Sequence, residues 1–194
     1  MNSRPFIITE GYNGTKIMDL ESVHLANGKI FLNGEITSQT ADNFVKAFLY
    51  LKEKGEPITI YINTPGGSVE AGLVIYDLIQ GAKNMEIHMV CTGSASSMGA
   101  IILAGGQKGR RNILRHSKVM IHEPLISKGF GGSATSIQSI SESIMDTKKI
   151  LNEILAKHTG KTKEEIDEVT RHDHFMNAEE SIEFGICDYI VDTV

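Results

Sequence analysis

Between residues 29 and 106 the chain alternates apolar, strand-like runs with amphipathic helical segments, and no other feature limits its fold as strongly. The strand-like runs lie at 29–32, 58–62 and 87–91, and the helical segments follow at 41–49, 71–79 and 98–104. The first helical segment has apolar residues at the spacing of one helix face, namely Ala41, Phe44, Val45, Phe48 and Leu49. Strands that alternate with helices predict an α/β fold whose strands are mainly parallel and joined by right-handed crossovers.

Length and composition favour a single domain over 1–194 rather than a multidomain or disordered chain. The 194 residues suffice for a sizeable core, since 41% are hydrophobic and 22% are charged. The net charge is −5, and Lys and Arg form no block, which argues against nucleic acid or a membrane surface as the main partner. No apolar run approaches the roughly 20 residues that cross a bilayer. We see no signal peptide at the N-terminus, and Cys91 and Cys187 are typical of core residues in a reducing compartment, so we expect a cytoplasmic location.

Two regions outside this alternation have patterns of their own. Residues 1–20 are mixed in composition and contain glycine, so we expect a mobile arm. After a glycine-rich loop at 126–132, apolar residues recur on one helix face from 133 to 158, and Gly160 is placed to end this helix. A helix of that length is over twice the average, and we interpret it as an assembly element that projects from the body. An ordinary surface helix is the alternative.

The last third of the chain carries clear signals for short elements. A strand is expected at 119–122 and another at 186–191. Thr162 with Glu165 has the spacing of a capping box, which predicts a helix up to about residue 170. Asn177, three residues before another glutamate, predicts a second short helix.

Two turns rich in small residues follow neighbouring strands, at 63–68 and 92–97. Ligands of parallel α/β sheets bind outside the carboxyl ends of the strands, where both turns are expected to lie. The second turn holds Ser94, Ser96 and Ser97 ahead of a helical segment, and backbone N–H groups at a helix start can stabilise a developing oxyanion. The alternative is that these small residues only let the helix pack closely on the strand.

The first turn contains Gly66 and Gly67, which can offer bare N–H groups to an anion or a carbonyl oxygen. A plain Pro-Gly turn is equally compatible with this sequence. The turn is not a phosphate-binding P-loop, because the Gly-Lys-Ser/Thr ending is absent.

His122 and Asp173 are candidates for acid–base chemistry. His122 ends a strand-like run and is expected at the same sheet edge as the serines, although an isolated histidine is more often structural. A carboxylate such as Asp173 can orient a catalytic histidine, but the residues alone do not distinguish it from the other acids. We predict no metal at His172-Asp173-His174, because successive side chains alternate in direction and no Cys or His partner has metal-ligand spacing.

Four segments, in order along the chain, resemble motifs of the proteolytic subunit of the caseinolytic (Clp) protease family. The segments are NTPGGSV at 63–69, GSASSMGA at 93–100, VMIHEP at 119–124 and DHFMNAEE at 173–180. They are similar to the family's oxyanion loop, nucleophile segment, histidine strand and aspartate segment. One such motif is weak, whereas four in family order within residues 20–190 are specific.

This resemblance implies a role for each of five residues. It implies Ser97 as the nucleophile, His122 as the base, Asp173 as the group that orients the base, and the N–H groups of Gly67 and Met98 as the oxyanion hole. The implied reaction is hydrolysis of peptide bonds by acyl transfer, in a serine-type endopeptidase. The chain order Ser, His, Asp and the lack of a G-x-S-x-G elbow argue against an α/β-hydrolase.

The resemblance also implies an architecture and partners. The family fold is a crotonase-like spiral of β-β-α units with a protruding handle helix, and its members form two stacked heptameric rings that enclose the active sites. We therefore expect a homo-oligomer of this kind, with 1–20 as an axial arm and 126–158 as the handle region. The implied substrates are unfolded proteins fed in by an AAA+ unfoldase. No cofactor is implied for this subunit, because the unfoldase uses the ATP.

The chain departs from the family pattern in places that concern assembly. Arg171-His172-Asp173 stands where Asp-Arg-Asp usually locks the rings together, so that ion pair cannot form in the usual way, and assembly becomes a candidate for pH sensitivity. Glu123 replaces a usual glutamine after the base. Thr59 and Gly81 stand where the unfoldase-docking pocket commonly has aromatic residues, and only Tyr61 matches. These differences favour a divergent copy that works with a second paralogue.

Two alternative functions remain open at this level. One is a weakly active structural or regulatory ring subunit of a mixed Clp complex, which the altered assembly residues favour. The other is a crotonase-type acyl-CoA enzyme, in which the paired N–H groups would bind a thioester. The set Ser97, His122 and Asp173 makes the second alternative the more distant one.

Overall fold

The computed structural model describes residues 5–11, 14–126 and 131–193, and these residues form nine strands and seven helices. The strands are β1 (Phe6–Gly11), β2 (Gly14–Asp19), β3 (Lys29–Asn33), β4 (Ile58–Thr64), β5 (Ile87–Ser96), β6 (Arg111–Leu114), β7 (Lys118–Ile121), β8 (His174–Met176) and β9 (Tyr189–Val191). The helices are α1 (Leu20–Ala26), α2 (Ser38–Lys54), α3 (Val69–Gly81), α4 (Met98–Ala104), α5 (Ala134–Thr159), α6 (Lys163–Thr170) and α7 (Ala178–Phe184).

The main sheet is parallel over its central strands, and the predicted α/β class is confirmed. Strands β3, β4, β5, β6 and β9 lie side by side in that order, each parallel to the next. The first half of β5 pairs with β6 and its second half pairs with β7, both in parallel register. Strand β8 joins β7 as an antiparallel neighbour. The carboxyl ends of β5 and β7 therefore lie next to each other, at one edge of the sheet.

Local sequence signals account for most helix boundaries. The Thr37 hydroxyl accepts the N–H of Thr40 at the start of α2, and Gly55, with φ of 70°, ends that helix in the left-handed region. The predicted capping boxes at Thr162 and Asn177 are both formed, with the glutamate three residues later completing each box. These caps satisfy backbone groups that the helix interior cannot reach.

Several strands differ from the predictions. The described part of the arm at 1–20 forms the antiparallel hairpin of β1 and β2 and the start of α1, none of which was predicted. This hairpin exposes most of its large apolar side chains, so it carries no one-sided burial pattern. The turn predicted at 92–97 is largely strand, because pairing with β7 extends β5 through Ser96.

The missed strands β6 and β8 are too short to produce a recognisable alternation. Strand β9 begins later than the predicted 186–191. The N–H groups of Ile186 and Cys187 both donate to the Ser181 carbonyl, which completes the turn after α7 and keeps these two residues out of the sheet.

The apolar face of α2 is rotated relative to the prediction. Leu49 was assigned to the buried face but is 45% exposed, whereas Leu51 is fully buried. Leu51 lies seven residues after Phe44, on the same side of the helix, so the buried stripe continues along this row instead. Val74, within the apolar segment predicted at 71–79, is equally exposed.

The long helix α5 has the predicted length, and only its last third packs into the body. Its buried residues are Leu151, Asn152 and Leu155, all near the C-terminal end. Ile137 and Met145, toward the other end, are exposed. The predicted glycine-rich loop at 126–132 lies mostly outside the described residues.

At the amino end of the sheet, Arg111 and Asp188 form a buried ion pair between β6 and β9. Their side chains are 3% and 9% exposed, and Arg111 Nη2 lies 2.6 Å from Asp188 Oδ1 while Nε lies 2.9 Å from Oδ2. The guanidinium also donates to three carbonyls near the ends of α4, α5 and α7, those of Ala104, His158 and Gly185. A single cation therefore balances the negative ends of three helices.

The core is a single apolar cluster around the central strands, and it includes both cysteines, as predicted. Burial raises the pKa of the Cys91 and Cys187 thiols. None of the helices in the described ranges combines the length and apolar character that crossing a membrane requires.

Candidate active site

Ser97 stands at the junction of β5 and α4 in a backbone conformation that few serines adopt. Its φ is 54° and its ψ is −121°, and among the described residues it is the one non-glycine residue with positive φ. Its N–H donates to the Met120 carbonyl of β7 at 2.8 Å, which fixes the turn to the neighbouring strand. Ser97 is the N-cap residue of α4, yet its hydroxyl makes no capping bond, so Oγ can serve another partner.

That partner is His122, the residue immediately after β7. Its Nε2 lies 2.9 Å from Ser97 Oγ, a distance that suits a hydroxyl donating to a neutral imidazole. The other serines of this segment do not compete, because Ser94 Oγ and Ser96 Oγ bond to each other at 2.8 Å. The geometry therefore selects Ser97 from the three candidates in the sequence.

Asp173 lies on the other side of the imidazole, with Oδ1 3.2 Å from His122 Nδ1. The antiparallel pairing of β7 with β8 sets Ile121 opposite His174, and this register brings residues 122 and 173 together. The His122 side chain is 14% exposed and that of Asp173 is 58% exposed. Water screens a pair this exposed, so its alignment depends on the surrounding chain more than on its own attraction.

The glycine turn between β4 and α3 packs directly against Ser97. A Cβ added at Gly66 would lie 2.6 Å from Ser97 Cβ and 3.2 Å from the Met98 nitrogen. A Cβ added at Gly67 would overlap the backbone of Ile36, and both glycines have positive φ. The Ile36 N–H donates to the Gly66 carbonyl, and its carbonyl accepts from the Ser68 N–H, each at 2.8 Å, so the turn is held from behind.

Two backbone N–H groups near this contact have no partner among the described residues. Within the described ranges, the N–H groups of Gly67 and Met98 donate to no protein acceptor. Both belong to segments in contact with Ser97, and main-chain donors in such a place can stabilise negative charge on a substrate oxygen. The arrangement therefore has the parts of an oxyanion hole.

A cavity of about 570 Å³ opens onto Ser97 and His122. Much of its wall is apolar and comes from α3, α4, the segment after β7 and α5, including Val69, Met98, Ile101, Leu125, Ile126, Ile144, Leu151 and Leu155. Glu35 and Glu70 also line it. The Glu70 backbone N–H and the Ser68 hydroxyl lower the pKa of the Glu70 carboxyl, so this side of the cavity carries negative charge at neutral pH.

The five candidate residues lie close together, whereas the walls of the cavity were not predicted. All five candidate residues lie at this edge of the sheet, as three bonded side chains and two nearby N–H groups. The part played by α5 was missed, since that helix was interpreted as an assembly element only. The sequence did contain a signal for this packing, because the apolar stripe of the helix continues to Leu151 and Leu155.

The neighbouring histidines do not join the site. The His174 ring packs on Phe184, with ring centroids 5.8 Å apart, and His172 is exposed. In the part of the chain that the structure describes, no group of three or more His, Cys, Asp or Glu side chains could hold a metal ion. Arg171 pairs within its own helix region, with Glu168 at 3.1 Å.

Comparison with known proteins gives an independent result. The family model described as "Clp protease" matches residues 12–194. A protein of Prochlorococcus marinus (strain MIT 9312), named "ATP-dependent Clp protease proteolytic subunit 1", is 41% identical over 190 residues, which cover 97% of this chain and 96% of the relative. Both matches span the segments that carry Ser97, His122 and Asp173.

Proposed function

The chain belongs to the Clp protease family, and from this premise we propose that it is the proteolytic subunit of an ATP-dependent Clp protease. In this role it is a serine endopeptidase that hydrolyses peptide bonds of unfolded proteins inside a ring-shaped chamber. The observation that carries the proposal is the continuous hydrogen-bonded chain from Ser97 Oγ through the His122 imidazole to Asp173. A nucleophile, a base and a group that orients the base are the parts that acyl transfer needs.

The reaction would begin as His122 Nε2 takes the hydroxyl proton while Ser97 Oγ attacks the peptide carbonyl carbon. The carbonyl oxygen becomes an oxyanion, which the N–H groups of Gly67 and Met98 would stabilise. The protonated His122, oriented by Asp173, then donates its proton to the leaving amine. Water, activated by the same imidazole, would hydrolyse the acyl-enzyme and restore the Ser97 hydroxyl.

The size and the apolar wall of the cavity support a peptide substrate in an extended conformation. Its 570 Å³ hold part of a peptide, and the apolar wall offers a place for an apolar side chain beside the scissile bond. Inside the proposed ring-shaped chamber Ser97 would be accessible only through the narrow axial pore, which a folded protein could not pass. Substrates would therefore have to be unfolded first, which fits an AAA+ unfoldase as partner.

Each step above uses groups of this chain and water. We therefore propose that the subunit itself needs no cofactor and that the partner unfoldase consumes the ATP. The two buried thiols fit a reducing compartment such as the cytoplasm.

We propose assembly into two stacked heptameric rings. The first half of α5 supports an assembly role, because it buries none of its residues and exposes Ile137 and Met145. Arg171 supports a departure from the family's usual ring contact, since its guanidinium already bonds Glu168 of the same chain. A ring-to-ring contact would then have to use other groups of this chain, or groups of a second paralogue.

The test is covalent labelling with a fluorophosphonate, together with hydrolysis of a fluorogenic peptide. The proposal expects a single label on Ser97 and peptide cleavage, and Ser97→Ala should abolish both. Ser94→Ala is the matched control and should be labelled at the parent rate, because Ser94 bonds Ser96 rather than His122. An unlabelled Ser97 in the assembled protein would favour a structural ring subunit or an acyl-CoA enzyme and would reject the proposal.

A further inference from the structure

The Lys148 ammonium joins the two chain segments that carry His122 and Asp173. Lys148 lies on α5, and its Nζ is 2.9 Å from Glu123 Oε2 and 2.9 Å from Asp167 Oδ1. Glu123 directly follows His122, and Asp167 belongs to α6, whose C-terminal end leads to Asp173. One side chain from a third element thus contacts both segments of the active site.

This junction is better protected from water than the pair it adjoins. Lys148 and His122 are similarly buried, with side chains 16% and 14% exposed, but the carboxylates of the junction, Glu123 at 38% and Asp167 at 42%, are less exposed than Asp173 at 58%. Hydrogen bonds with Asp167 and Glu123 raise the pKa of Lys148, and Lys148 in turn lowers the pKa of Asp167, so the pair is ionised at neutral pH. Asn152, four residues along α5 and buried, donates to Asp167 Oδ1 at 3.3 Å and restrains that carboxylate further.

The main chain adds a second link at the same place. The Glu123 N–H donates to the carbonyl of Thr170, the last residue of α6, at 2.8 Å, and Thr170 is fully buried. The C-terminal end of a helix is its negative end, and it lies here beside a carboxylate. The positive charge of Lys148 offsets the repulsion that this arrangement would otherwise produce.

We propose that Lys148 is a positioning residue for the peptidase reaction, which holds Glu123 and Asp167 so that His122 and Asp173 stay within hydrogen-bond distance. This inference rests on the proposed function. The His122–Asp173 contact is a single 3.2 Å bond to a largely exposed carboxylate and contributes little to its own alignment. The junction has two ion pairs of 2.9 Å and joins α5, α6 and the segment after β7.

Removal of the ammonium would leave two carboxylates facing each other beside a helix end. Glu123 would then move away from Asp167, and His122 would move with it because the two are adjacent in the chain. A displacement of about 1 Å at a catalytic group can lower a rate about a hundredfold. Lys148 does not line the cavity, so substrate binding would change less than the chemical step.

The experiment compares Lys148→Met, Lys148→Arg and Lys149→Met in the assembled protein, measuring kcat and KM for a fluorogenic peptide and the rate of Ser97 labelling. Lys148→Met should lower kcat and the labelling rate about tenfold to a hundredfold at nearly constant KM. Lys148→Arg retains the charge and should stay within about threefold of the parent. Lys149 is the exposed neighbour on the same helix, and its substitution should change neither quantity.

The inference is overturned if folded Lys148→Met keeps the parent kcat, or if Lys149→Met loses as much. If Lys148→Met does not fold, Glu123→Ala decides the matter: a loss of kcat of about tenfold upholds the inference and a parent kcat rejects it. Hydrogen exchange at the Glu123 amide is a readout that needs no activity. If the parent protein itself fails to label, the proposed function is rejected. Faster exchange of the Glu123 amide in Lys148→Met would then still uphold the positioning role of Lys148. Unchanged exchange of this amide would reject that role.

Discussion

The two ends of the parallel sheet each bring a carboxylate to a cationic or imidazole partner, and they do so in opposite ways. At the amino end, Asp188 is buried and accepts two hydrogen bonds from the Arg111 guanidinium, which donates to three further carbonyls. At the carboxyl end, Asp173 is exposed and bonds one nitrogen of His122. The amino end therefore stabilises the fold, whereas the carboxyl end leaves groups accessible for chemistry.

The same contrast occurs within one pair of strands. Arg111 and Asp188 precede β6 and β9 or begin them, while Arg115 and Asp192 follow the same two strands. The second pair is 3.5 Å apart, with side chains that are 55% and 80% exposed. Residue types alone thus do not distinguish a structural ion pair from a surface ion pair. The burial of the two side chains and the number of their hydrogen bonds determine which kind a pair is.

The largest effect is expected for Asp173→Asn. An asparagine cannot orient His122 or stabilise the imidazolium as a carboxylate does, so kcat for a peptide should fall about a hundredfold to a thousandfold. The free energy of unfolding should change by less than about 0.5 kcal/mol, because the side chain is exposed. Peptidase assays and urea unfolding measure the two quantities, and a large loss of stability would break the proposed division of roles.

Asp188→Asn is the matched substitution at the amino end, with the opposite outcome. It leaves the buried Arg111 guanidinium without its counter-charge, which should lower the free energy of unfolding by about 3 kcal/mol. The kcat of the folded protein should remain close to that of the parent, because neither residue contacts the candidate site. The division fails if denaturant unfolding shows no loss, or if activity falls more than stability does.

A smaller, pH-dependent effect is expected at His158, which belongs to the amino-end cluster through its carbonyl. Burial, with Lys157 and Arg111 nearby, lowers the pKa of His158 from 6.5 to about 4, and its ring bonds the Tyr76 hydroxyl at 2.8 Å. Between these two values the unfolded chain binds a proton that the folded chain does not. Stability should therefore fall as pH falls from 6.5 to about 4, with no further loss from this group below that value.

We expect this contribution to be about 1 to 2 kcal/mol, after allowance for water near the half-buried ring. Urea unfolding at a series of pH values measures it at fixed protein concentration. His158→Gln keeps a partner for Tyr76 but does not titrate, so its unfolding free energy should depend less steeply on pH. An equally steep dependence in this variant would assign the effect to other groups.

The smallest effect is expected for Arg115→Gln. Its exposed pairs with Asp192 and Glu179 should contribute less than about 0.5 kcal/mol to stability. Arg111→Gln, measured in the same way, should cost several times more. Similar losses for the two variants would contradict the role assigned to burial.

The sequence predicted the parts of the molecule whose causes are local. The helix limit at Gly160 and the capping boxes at Thr162 and Asn177 depend on residues a few positions apart, and each is present. The α/β class followed from the alternation of strand-like and helical patterns. The five candidate site residues came from the resemblance, since composition and spacing left several serines and many acids equivalent.

The remaining features depend on contacts between distant segments. Arg111 and Asp188 are 77 positions apart, and nothing in their local sequence marks them as partners. Lys148 lies on a helix whose pattern indicated assembly, and only the packing of α5 against α6 and against the segment after β7 brings its two carboxylate partners to it. Strands β6 and β8 form because longer neighbours pair with them, which no short apolar run can indicate.

The contact between Gly66 and Ser97 limits how this site can change. A Cβ at position 66 would lie 2.6 Å from Ser97 Cβ and 2.8 Å from the Ser96 carbonyl oxygen, so there is no room at this position for a side chain that could adjust the spacing. Substitutions elsewhere in the cavity wall can alter which substrate side chains bind. One added methyl group at position 66, in contrast, would push the Gly66 turn and Ser97 apart. Selectivity is thus open to variation in this molecule, whereas the reaction itself is confined to a single local geometry.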